Sequence, residues 1–334
     1  MARSVLITGI AGFLGSHIAD AFLRAGDRVS GIDNLSGGSL RNIPSGAAYK
    51  AIDCTDFDAV SAFIALHKPD VIYHCAALAH EGLSVFSPAT IGLSVYQGSV
   101  AVFSAAAAHK VRRVVFTSSM ARYGHGRTPF SEGMIPAPVD PYGIAKVAAE
   151  DTLRVLGEVH RFEWVIAVPH NIIGPRQKYD DPFRNVASIM INRMKLGLPV
   201  IVYGDGRQTR CFSPIRDCLH SLVLMADAPV SGEIINIGPD NGEISILDLA
   251  ELCASAAGVD DIQMLHHADR PREVRHANCS SDKARRLLGF TQQQSLMDCL
   301  REMAAEIVPK PFEYHLPIEI INELTPRTWR ERIF

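Results

Sequence analysis

Tyr142 and Lys146 carry the residue types and the spacing best suited to acid–base chemistry in this sequence of 334 residues. Side chains at positions i and i+4 of a helix lie on one face, and the pattern over 142–156 predicts such a helix. Because a neighbouring ammonium group favours the phenolate, we expect Lys146 to lower the pKa of Tyr142. The pair then predicts a general base for a hydroxyl proton near neutral pH. The same spacing also occurs on ordinary exposed helix faces, so the interpretation depends on the elements that position the pair.

A run of glycines, Gly9, Gly12 and Gly15, follows the first predicted strand and opens a predicted helix. This arrangement places a pyrophosphate at the helix N-terminus, because glycines permit the close approach of backbone and phosphate. Asp33 ends the second predicted strand, where a carboxylate can accept hydrogen bonds from an adenosine ribose and repels a 2′-phosphate. Together these features predict NAD, in preference to NADP, as the cofactor. Taken singly, the glycines could serve only a tight loop and Asp33 only a turn.

Short β-rich apolar runs alternate with helical periodicity through the first half of the chain. Such alternation predicts βαβ units and a parallel sheet that helices cover on both faces. The predicted fold is therefore α/β, with a Rossmann-type, doubly wound parallel sheet. Strands are predicted at Ser4–Thr8, Arg28–Ile32, Val71–Cys75, Val114–Thr117 and Trp164–Val168, and helices at Gly15–Ala25, Ser94–His109 and Tyr142–Leu156.

The pattern changes after about residue 171, where Pro and Gly recur between shorter predicted helices at Val186–Leu196 and Ile246–Ala256. We interpret this part as a smaller, partly interleaved C-terminal lobe that binds the substrate. The apolar tail from Pro309 is expected to pack against the rest of the protein. The predicted division gives 1–170 to the cofactor-binding domain, with return segments near 213–240, and gives 171–212 and 241–334 to the second lobe.

The bulk composition is that of an ordinary globular protein. Lys and Arg total 33 against 36 Asp and Glu, and a net charge of −3 argues against nucleic acid or an anionic membrane as a partner. Seven cysteines without Cys-x-x-Cys spacing predict reduced thiols in a cytoplasmic protein, with neither a disulfide framework nor a metal site. Neither a signal-like segment nor a stretch of about 18 apolar residues is evident, so no membrane span is expected.

Short motifs in order along nearly the whole chain resemble the extended short-chain dehydrogenase/reductase superfamily, and within it the sugar-nucleotide epimerase and dehydratase branch. The fingerprint TGxxGFxG of that superfamily reads TGIAGFLG at 8–15. The resemblance implies an NAD-dependent enzyme. The other motifs are DNLSGG at 33–38, DCTD at 53–56, HCAAL at 74–78, VVFTSSMARYG at 114–124, DPYGIAK at 140–146 and HNIIGPRQ at 170–177.

The resemblance assigns roles to individual residues. It makes Tyr142 and Lys146 catalytic, with Ser119 as the hydroxyl partner of the tyrosine and Ser118 as the neighbouring candidate. Both serines are also expected to contact the substrate, and Lys146 to hold the nicotinamide ribose. Cofactor contacts are implied at Gly9, Gly12, Phe13, Leu14, Gly15, Asp33, Asn34, Ser36, Gly37, Asp53, Cys54, Ala76, Ala77, Thr117, Tyr142, Lys146 and Pro169.

The two residues after Ser119 distinguish between the reactions of this branch. Sugar-nucleotide 4,6-dehydratases have an Asp–Glu pair there, and the related uronate decarboxylases keep the Glu. Here the two positions are Met120 and Ala121, and neither side chain can transfer a proton. The resemblance therefore implies a 4-epimerase, which removes the C4 hydride and returns it to the other face of a transient 4-keto sugar. NAD ends such a cycle unchanged and is expected to stay bound.

The resemblance also implies a UDP-sugar substrate, contacted by the Asn171 amide and by Arg210 and Arg270, whose planar guanidinium groups suit a diphosphate. Lys178 is counted among the substrate-binding residues because uronate 4-epimerases carry Arg at this position, which favours a carboxylate at C6. Ala277 stands at a gate that is bulky in epimerases restricted to glucose and galactose, so it leaves room for an N-acetyl group. We favour UDP-glucose/UDP-galactose or UDP-glucuronate/UDP-galacturonate over UDP-N-acetylhexosamine.

Several alternatives stay open at this point. A reductase could release a 4-keto product, and a non-catalytic NAD-binding sensor could use the same fold. The loop with His80 and Glu81 differs from the common version and is expected to border the sugar. The helices Ser94–His109 and Tyr142–Leu156 resemble the pair that forms a four-helix bundle between two subunits of this superfamily, which implies a homodimer.

Overall fold

A sheet of seven parallel strands forms the centre of the computed structural model, which describes residues 2–334. The strands of the chain are β1 (Ser4–Thr8), β2 (Arg28–Asp33), β3 (Ala48–Ala51), β4 (Val71–His74), β5 (Arg113–Thr117), β6 (Glu163–Pro169), β7 (Ile172–Ile173), β8 (Val200–Tyr203), β9 (Thr209–Arg210), β10 (Ser213–Pro214), β11 (Glu233–Ile237), β12 (Ile244–Ser245), β13 (Met264–His267) and β14 (His276–Ala277). The central sheet has the spatial order β11-β6-β5-β4-β1-β2-β3, and every neighbouring pair in it is parallel. The predicted α/β, doubly wound fold is confirmed.

The helices follow the predicted positions with shifts at their ends. The helix that carries Tyr142 begins one residue earlier, because Asp140 accepts a hydrogen bond from Gly143 N at 2.8 Å and Pro141 occupies the first turn. The helices are α1 (Phe13–Arg24), α2 (Phe57–His67), α3 (Glu81–Ser84), α4 (Pro88–Gly92), α5 (Gly98–Ala108), α6 (Pro141–His160), α7 (Val186–Lys195), α8 (Ile215–Leu224), α9 (Ile246–Ala257), α10 (Asp282–Leu288), α11 (Leu296–Glu306) and α12 (Arg327–Arg330).

Helices bury both faces of the central sheet. On one face, Phe22 of α1 and Leu222 of α8 pack against the sheet, and Leu288 of α10 joins the same cluster. On the other face, Phe103 of α5 and Leu153 of α6 belong to the opposite cluster. The central strands are buried on both sides, which explains why they read as continuous apolar runs rather than as alternating ones.

The second half of the chain supplies a smaller set of sheets and a core of its own. The pairs β7–β10 and β8–β13 and the three-stranded set β12-β9-β14 lie there, and α7, α9 and α11 pack together around Ile191, Leu249 and Leu300. Between these parts, α8 and β11 return to the large sheet. The exact division into lobes that the sequence suggests stays a prediction.

The tail from Pro309 packs against the protein. Trp329 is buried, and its ring contacts those of Phe86 and Phe183 at centroid distances of 6.0 and 5.3 Å. Leu83 lies in the same apolar cluster. The tail therefore covers the loop that begins at His80, which matters for the site described below.

One helix requires a correction to the expectation that no segment could span a membrane. The helix α4, a π-helical turn at Leu93–Gln97 and α5 form one continuous helix, Pro88–Ala108, of 21 residues, within which a stretch of 18 residues has a mean hydropathy of 1.4. By length and composition alone this helix could cross a bilayer. Half of it is buried inside the protein, and the core helix of a globular protein meets the same criteria, so the finding is weak evidence for a membrane.

Candidate active site

A cavity of about 640 Å³ opens at the carboxyl ends of the central strands. The loops and strand ends after β1, β2, β4, β5 and β6 each contribute a lining residue, respectively Gly9, Asp33, Cys75, Thr117 and Pro169. Because β1 lies between β2 and β4, the chain reverses direction across the sheet at this point. Open α/β sheets bind ligands in such a crevice. Residues from the second half of the chain, among them Tyr203, Arg210 and Arg270, also line the cavity.

The glycine-rich turn has the geometry of a ligand cradle. Gly9 has φ +72, which favours glycine, and a Cβ added there would lie 2.9 Å from Ala76 N. A Cβ on Gly15 would lie 2.2 Å from the carbonyl oxygen of Gly9. Residues 12–15, at the start of α1, line the cavity, and no side chain caps this helix. The N–H groups of its first turn are therefore available to an anion such as a pyrophosphate.

Two carboxylates shape the neighbouring part of the cavity. Asp33, at the end of β2, accepts hydrogen bonds from Ala11 N at 3.0 Å and Leu35 N at 2.7 Å, and burial raises its pKa. Asp53 accepts a hydrogen bond from the Asn34 side chain at 2.7 Å. All the residues that the resemblance assigned to the cofactor line this cavity: Gly9, Gly12, Phe13, Leu14, Gly15, Asp33, Asn34, Ser36, Gly37, Asp53, Cys54, Ala76, Ala77, Thr117, Tyr142, Lys146 and Pro169.

The Asp33 carboxylate is the group expected to discriminate against NADP. We predict that Asp33→Asn lowers NAD affinity by about tenfold or more, since a hydrogen bond to a charged group is worth about 1.5–3 kcal/mol. The affinity for NADP should fall less or rise, because the charge that opposes a 2′-phosphate is removed. Calorimetric titration of NAD-free protein with each cofactor measures the ratio. Asp58→Ala, on the exposed face of α2, is the control. Equal binding of NAD and NADP by the unaltered protein would contradict the assignment.

Tyr142 and Lys146 lie on one face of α6 and both line the cavity, as predicted. The Lys146 ammonium donates a hydrogen bond to the carbonyl oxygen of Thr117 at 2.7 Å. It lies 5.8 Å from the centroid of the Tyr142 ring and 4.7 Å from that of Phe116. The lysine is therefore fixed between the end of β5 and the tyrosine, in a position to contact a ligand and the phenol together.

The expectation that Lys146 lowers the pKa of Tyr142 is wrong. Burial raises the pKa of Tyr142 well above its usual value, a hydrogen bond with Ser119 opposes the rise, and the charge of Glu81 adds to it. Burial also lowers the pKa of Lys146 to about 8, which weakens the positive charge beside the phenol. Both shifts have the same cause, because a low-dielectric site disfavours the charged form of each group.

The two serines after β5 have different surroundings. Ser119 precedes a short 3₁₀ turn at Met120–Tyr123, where its hydroxyl accepts a hydrogen bond from Ala121 N at 3.2 Å. Ser118 also lines the cavity, but its hydroxyl donates to the Glu150 carboxylate. Ser119 is therefore the better candidate for the hydroxyl partner of the base.

The second lobe brings a pair of arginines to the cavity. Glu273 accepts hydrogen bonds from Arg270 Nε at 2.8 Å and Nη2 at 3.0 Å, and Arg210 Nη2 lies 3.5 Å from the same carboxylate. Asn171 lines the cavity with φ +46, and its side-chain amide donates to the carbonyl oxygen of Cys211. The predicted positions of Asn171, Arg210 and Arg270 at the cavity agree with the structure.

Other residues singled out from the sequence lie elsewhere. Lys178 does not line the cavity, because its ammonium forms an ion pair with the buried Asp180 at 3.1 Å, and its assignment to the substrate is corrected here. Ala277 is buried in the core cluster behind β5 rather than at a gate. His170 and His80 are buried, and each is hydrogen-bonded away from the cavity, to the Pro239 carbonyl oxygen and the Asp181 carboxylate.

Sequence reasoning missed the role of Glu273. It considered Arg184 only beside Lys178, as a residue that could favour a carboxylate at C6; Arg184 lines the cavity and approaches the turn at Gly37. No motif marks either residue, and only the fold brings them to the site. The expectation that Glu81 borders the site agrees with the structure, since it also lines the cavity. Within residues 2–334, no group of three or more His, Cys, Asp or Glu side chains is arranged to hold a metal ion.

Comparisons with known proteins agree with this arrangement. The model of the NAD dependent epimerase/dehydratase family matches residues 5–238. A UDP-glucose 4-epimerase of Mycolicibacterium smegmatis is 32% identical over 301 residues, which are 88% of this chain and 95% of that protein. The UDP-glucose 4-epimerase of Thermus thermophilus, solved with NAD, has a TM-score of 0.85 at 27% identity and covers 90% of this chain and 98% of its own.

A protein of known structure that is named for a different sugar resembles this chain about as closely. The UDP-glucuronic acid 4-epimerase of Bacillus cereus, solved with UDP-glucuronic acid and NAD, has a TM-score of 0.83 at 27% identity, with 90% of this chain and 98% of its own covered. Similar proteins therefore act on sugars with and without a carboxylate, and the choice between them must come from the residues of this cavity.

Proposed function

The chain belongs to the NAD dependent epimerase/dehydratase family, and from that membership we propose that it is an NAD-dependent UDP-sugar 4-epimerase. It inverts C4 of a UDP-hexose through a transient 4-keto intermediate. The family uses NAD, and the cavity fits such a group, because Gly9 and Gly15 leave no room for a side chain at the turn before an uncapped helix. When bound, the nicotinamide supplies an acceptor that becomes the donor in the second half of the cycle.

The residues of the chain supply proton transfer and orientation. Tyr142 accepts the proton of the 4-hydroxyl group and later returns it, while Ser119 holds that oxygen. Lys146 orients the cofactor ribose and adds positive charge beside the phenol in its protonated form. Arg210 and Arg270 hold the diphosphate, and the sugar is left free to present either face. A site that binds the nucleotide tightly and the sugar loosely suits this reaction, because the 4-keto sugar must rotate within the site before it is reduced.

The observation that carries the proposal is the contrast between a complete proton-transfer set and a missing elimination pair. Tyr142, Lys146 and Ser119 meet at the cavity, whereas Met120 and Ala121 pack inward against apolar clusters of the protein. Elimination of water needs an acid and a base at these positions, and neither side chain can provide one. Oxidation and reduction at C4 are therefore the chemistry that remains.

The test is to incubate the purified protein with UDP-glucose, UDP-glucuronate and UDP-N-acetylglucosamine without added NAD, and to read C4 by NMR. We expect inversion at C4 with NAD retained on the protein. A second candidate, release of a 4-keto product, would require added cofactor in stoichiometric amounts. A 4-keto-6-deoxy product would contradict the proposal, and NAD binding without any turnover of the panel would support a sensor instead.

The proposal includes a homodimer. On α6, Ile144, Val155 and Val159 are more than half exposed and follow a helical stripe. On the helix Pro88–Ala108, Leu93 is 57% exposed. These helices pack side by side, so a second copy of the pair would cover the apolar stripe and complete a four-helix bundle.

We predict that Val155→Arg converts the protein from dimer to monomer, because burying an unpaired charge in the bundle outweighs the apolar contact. Size-exclusion chromatography with light scattering measures the mass directly. Leu66→Arg, at a 75% exposed position of α2, is the control and should leave the mass unchanged. A monomer in the unaltered protein would contradict the proposed bundle.

A further inference from the structure

Charged side chains that line a ligand cavity are usually paired, and this cavity has three exceptions. Glu81, Arg184 and Arg272 line it without an ion pair or a side-chain hydrogen bond to any of residues 2–334. Arg272 is exposed, on a loop where its φ is +63. An unpaired charge at such a position needs either water or a ligand as its partner. The position of each of the three residues therefore determines which part of a bound ligand it contacts.

Arg184 reaches the cofactor side of the cavity. Its Nη1 atom lies 3.1 Å from the position of a Cβ added to Gly37, in the turn that follows Asp33. The guanidinium group therefore reaches the turn expected to hold the adenosine ribose. Its charge also acts on Tyr142, where it opposes the charge of Glu81.

Glu81 lies on the substrate side. It begins α3, and the next residue, Gly82, approaches the guanidinium group of Arg270, with 3.2 Å from an added Cβ to Arg270 Nη1. The charge of Glu81 also influences Tyr142, Arg210 and Arg270. A sugar that presents its 4-hydroxyl to Tyr142 and its diphosphate to the two arginines must lie between these groups, beside Glu81.

The loop that carries Glu81 is fixed from both sides. His80 Nε2 is hydrogen-bonded to the buried Asp181 carboxylate at 2.8 Å, and burial lowers the pKa of His80. Leu83 is buried in the cluster with Trp329 from the tail. These contacts hold the loop on both sides of Glu81 and keep its carboxyl group at the sugar subsite.

We infer that Glu81 is a specificity-determining residue, whose carboxylate makes the sugar subsite accept an uncharged hexose and reject a uronate. This inference rests on the proposed function and narrows its substrate class. A negative charge beside the sugar repels a C6 carboxylate and accepts hydrogen bonds from hydroxyl groups. Lys178 does not line the cavity, and its ammonium is paired with Asp180 at 3.1 Å.

The enclosure of the cavity gives this repulsion a pH dependence. Desolvation within the cavity raises the pKa of the Glu81 carboxyl group to about 7; the charges of Asp140 and Glu273 add to the rise, whereas those of Arg210 and Arg270 oppose it. Below about pH 7 the group is neutral and the repulsion is absent, and above it the carboxylate repels an anionic sugar.

The test is calorimetric binding of UDP-glucose, UDP-glucuronate and UDP at pH 6 and pH 8. We expect UDP-glucuronate to bind at least about tenfold more weakly than UDP-glucose at pH 8, because like charges in one site repel strongly, and this ratio should shrink at pH 6. Glu81→Gln should remove the difference between the two sugars at both pH values, with each affinity expressed relative to that of UDP for the same variant. Glu251→Gln, on an exposed position of α9, is the matched control.

An unchanged ratio in Glu81→Gln, or equal binding of both sugars by the unaltered protein at pH 8, would overturn the inference. If Glu81→Gln does not fold, the same point is tested in the unaltered protein, by comparing the ratio of UDP-glucuronate to UDP-glucose affinity at pH 6 with that at pH 8. Because binding is measured, the result is separate from the proposed reaction. A protein that binds UDP-glucose in preference to UDP-glucuronate but inverts neither would refute the proposed function and leave the role of Glu81 supported.

Discussion

Replacing Tyr142 with phenylalanine is expected to lower kcat by about 10²–10⁴-fold, the usual cost of losing a general base. The ring stays in place, so the fold and the bound NAD should persist. Tyr142 is 6% exposed and borders the cavity beside Ser119. Removing its hydroxyl therefore takes away the proton acceptor without opening the site. Turnover and bound NAD are to be quantified in the same sample.

Tyr96→Phe is the matched control, because it removes a phenolic hydroxyl from a 39% exposed position on the helix Pro88–Ala108. It should leave kcat unchanged. Near-unaltered turnover in Tyr142→Phe with full NAD occupancy would contradict the mechanism. His80 and His170 would not be the next candidates, since both rings are buried and hydrogen-bonded away from the cavity. Glu81, which lines it, would be examined first.

The second large effect is expected from Gly15→Ala. Its Cβ would lie 2.2 Å from the carbonyl oxygen of Gly9 and 2.8 Å from the carbonyl carbon, and neither backbone atom can yield without moving the turn. We expect the free energy of unfolding to fall by about 1–3 kcal/mol, as for other overpacked sites. The purified protein should also lose most of its NAD, because the same turn forms the cradle.

Gly133→Ala provides the control for this experiment. Gly133 lies in an exposed turn without positive φ, and an added Cβ there meets no atom within 4 Å. Thermal unfolding and cofactor content should both stay close to those of the unaltered protein. Full NAD occupancy in Gly15→Ala would show that the turn is not the part of the protein that holds the cofactor.

The elements that position the site could be predicted from local patterns. A parallel strand buried on both faces reads as a short apolar run, and the glycine turn, Asp33 and the Tyr142–Lys146 spacing each reflect a local requirement. For this reason the predicted fold is confirmed, and the residues predicted to hold the cofactor line one cavity. Ser119, Arg210 and Arg270 were assigned by resemblance to the family rather than by a local pattern, and they line the same cavity as Tyr142.

The failures concern effects that depend on the environment of a side chain. Lys178 was assigned to the substrate by its position in a motif, yet Asp180, two residues on, pairs with it. The pKa of Tyr142 was expected to fall because a lysine is near, but the burial of both groups outweighs their proximity. Glu273 joins the arginine pair through long-range packing that no local pattern shows.

The direct test of the proposed reaction follows the hydrogen at C4. UDP-glucose labelled with deuterium at C4 is incubated with the purified protein, without added NAD, and the product is analysed by NMR and mass spectrometry. If Tyr142 removes only the hydroxyl proton and the C4 hydride passes to bound NAD and back, UDP-galactose should form with deuterium retained at C4. Inversion with loss of the deuterium to solvent would contradict the proposed reaction. So would a complete absence of inversion at C4 for UDP-glucose, UDP-glucuronate and UDP-N-acetylglucosamine.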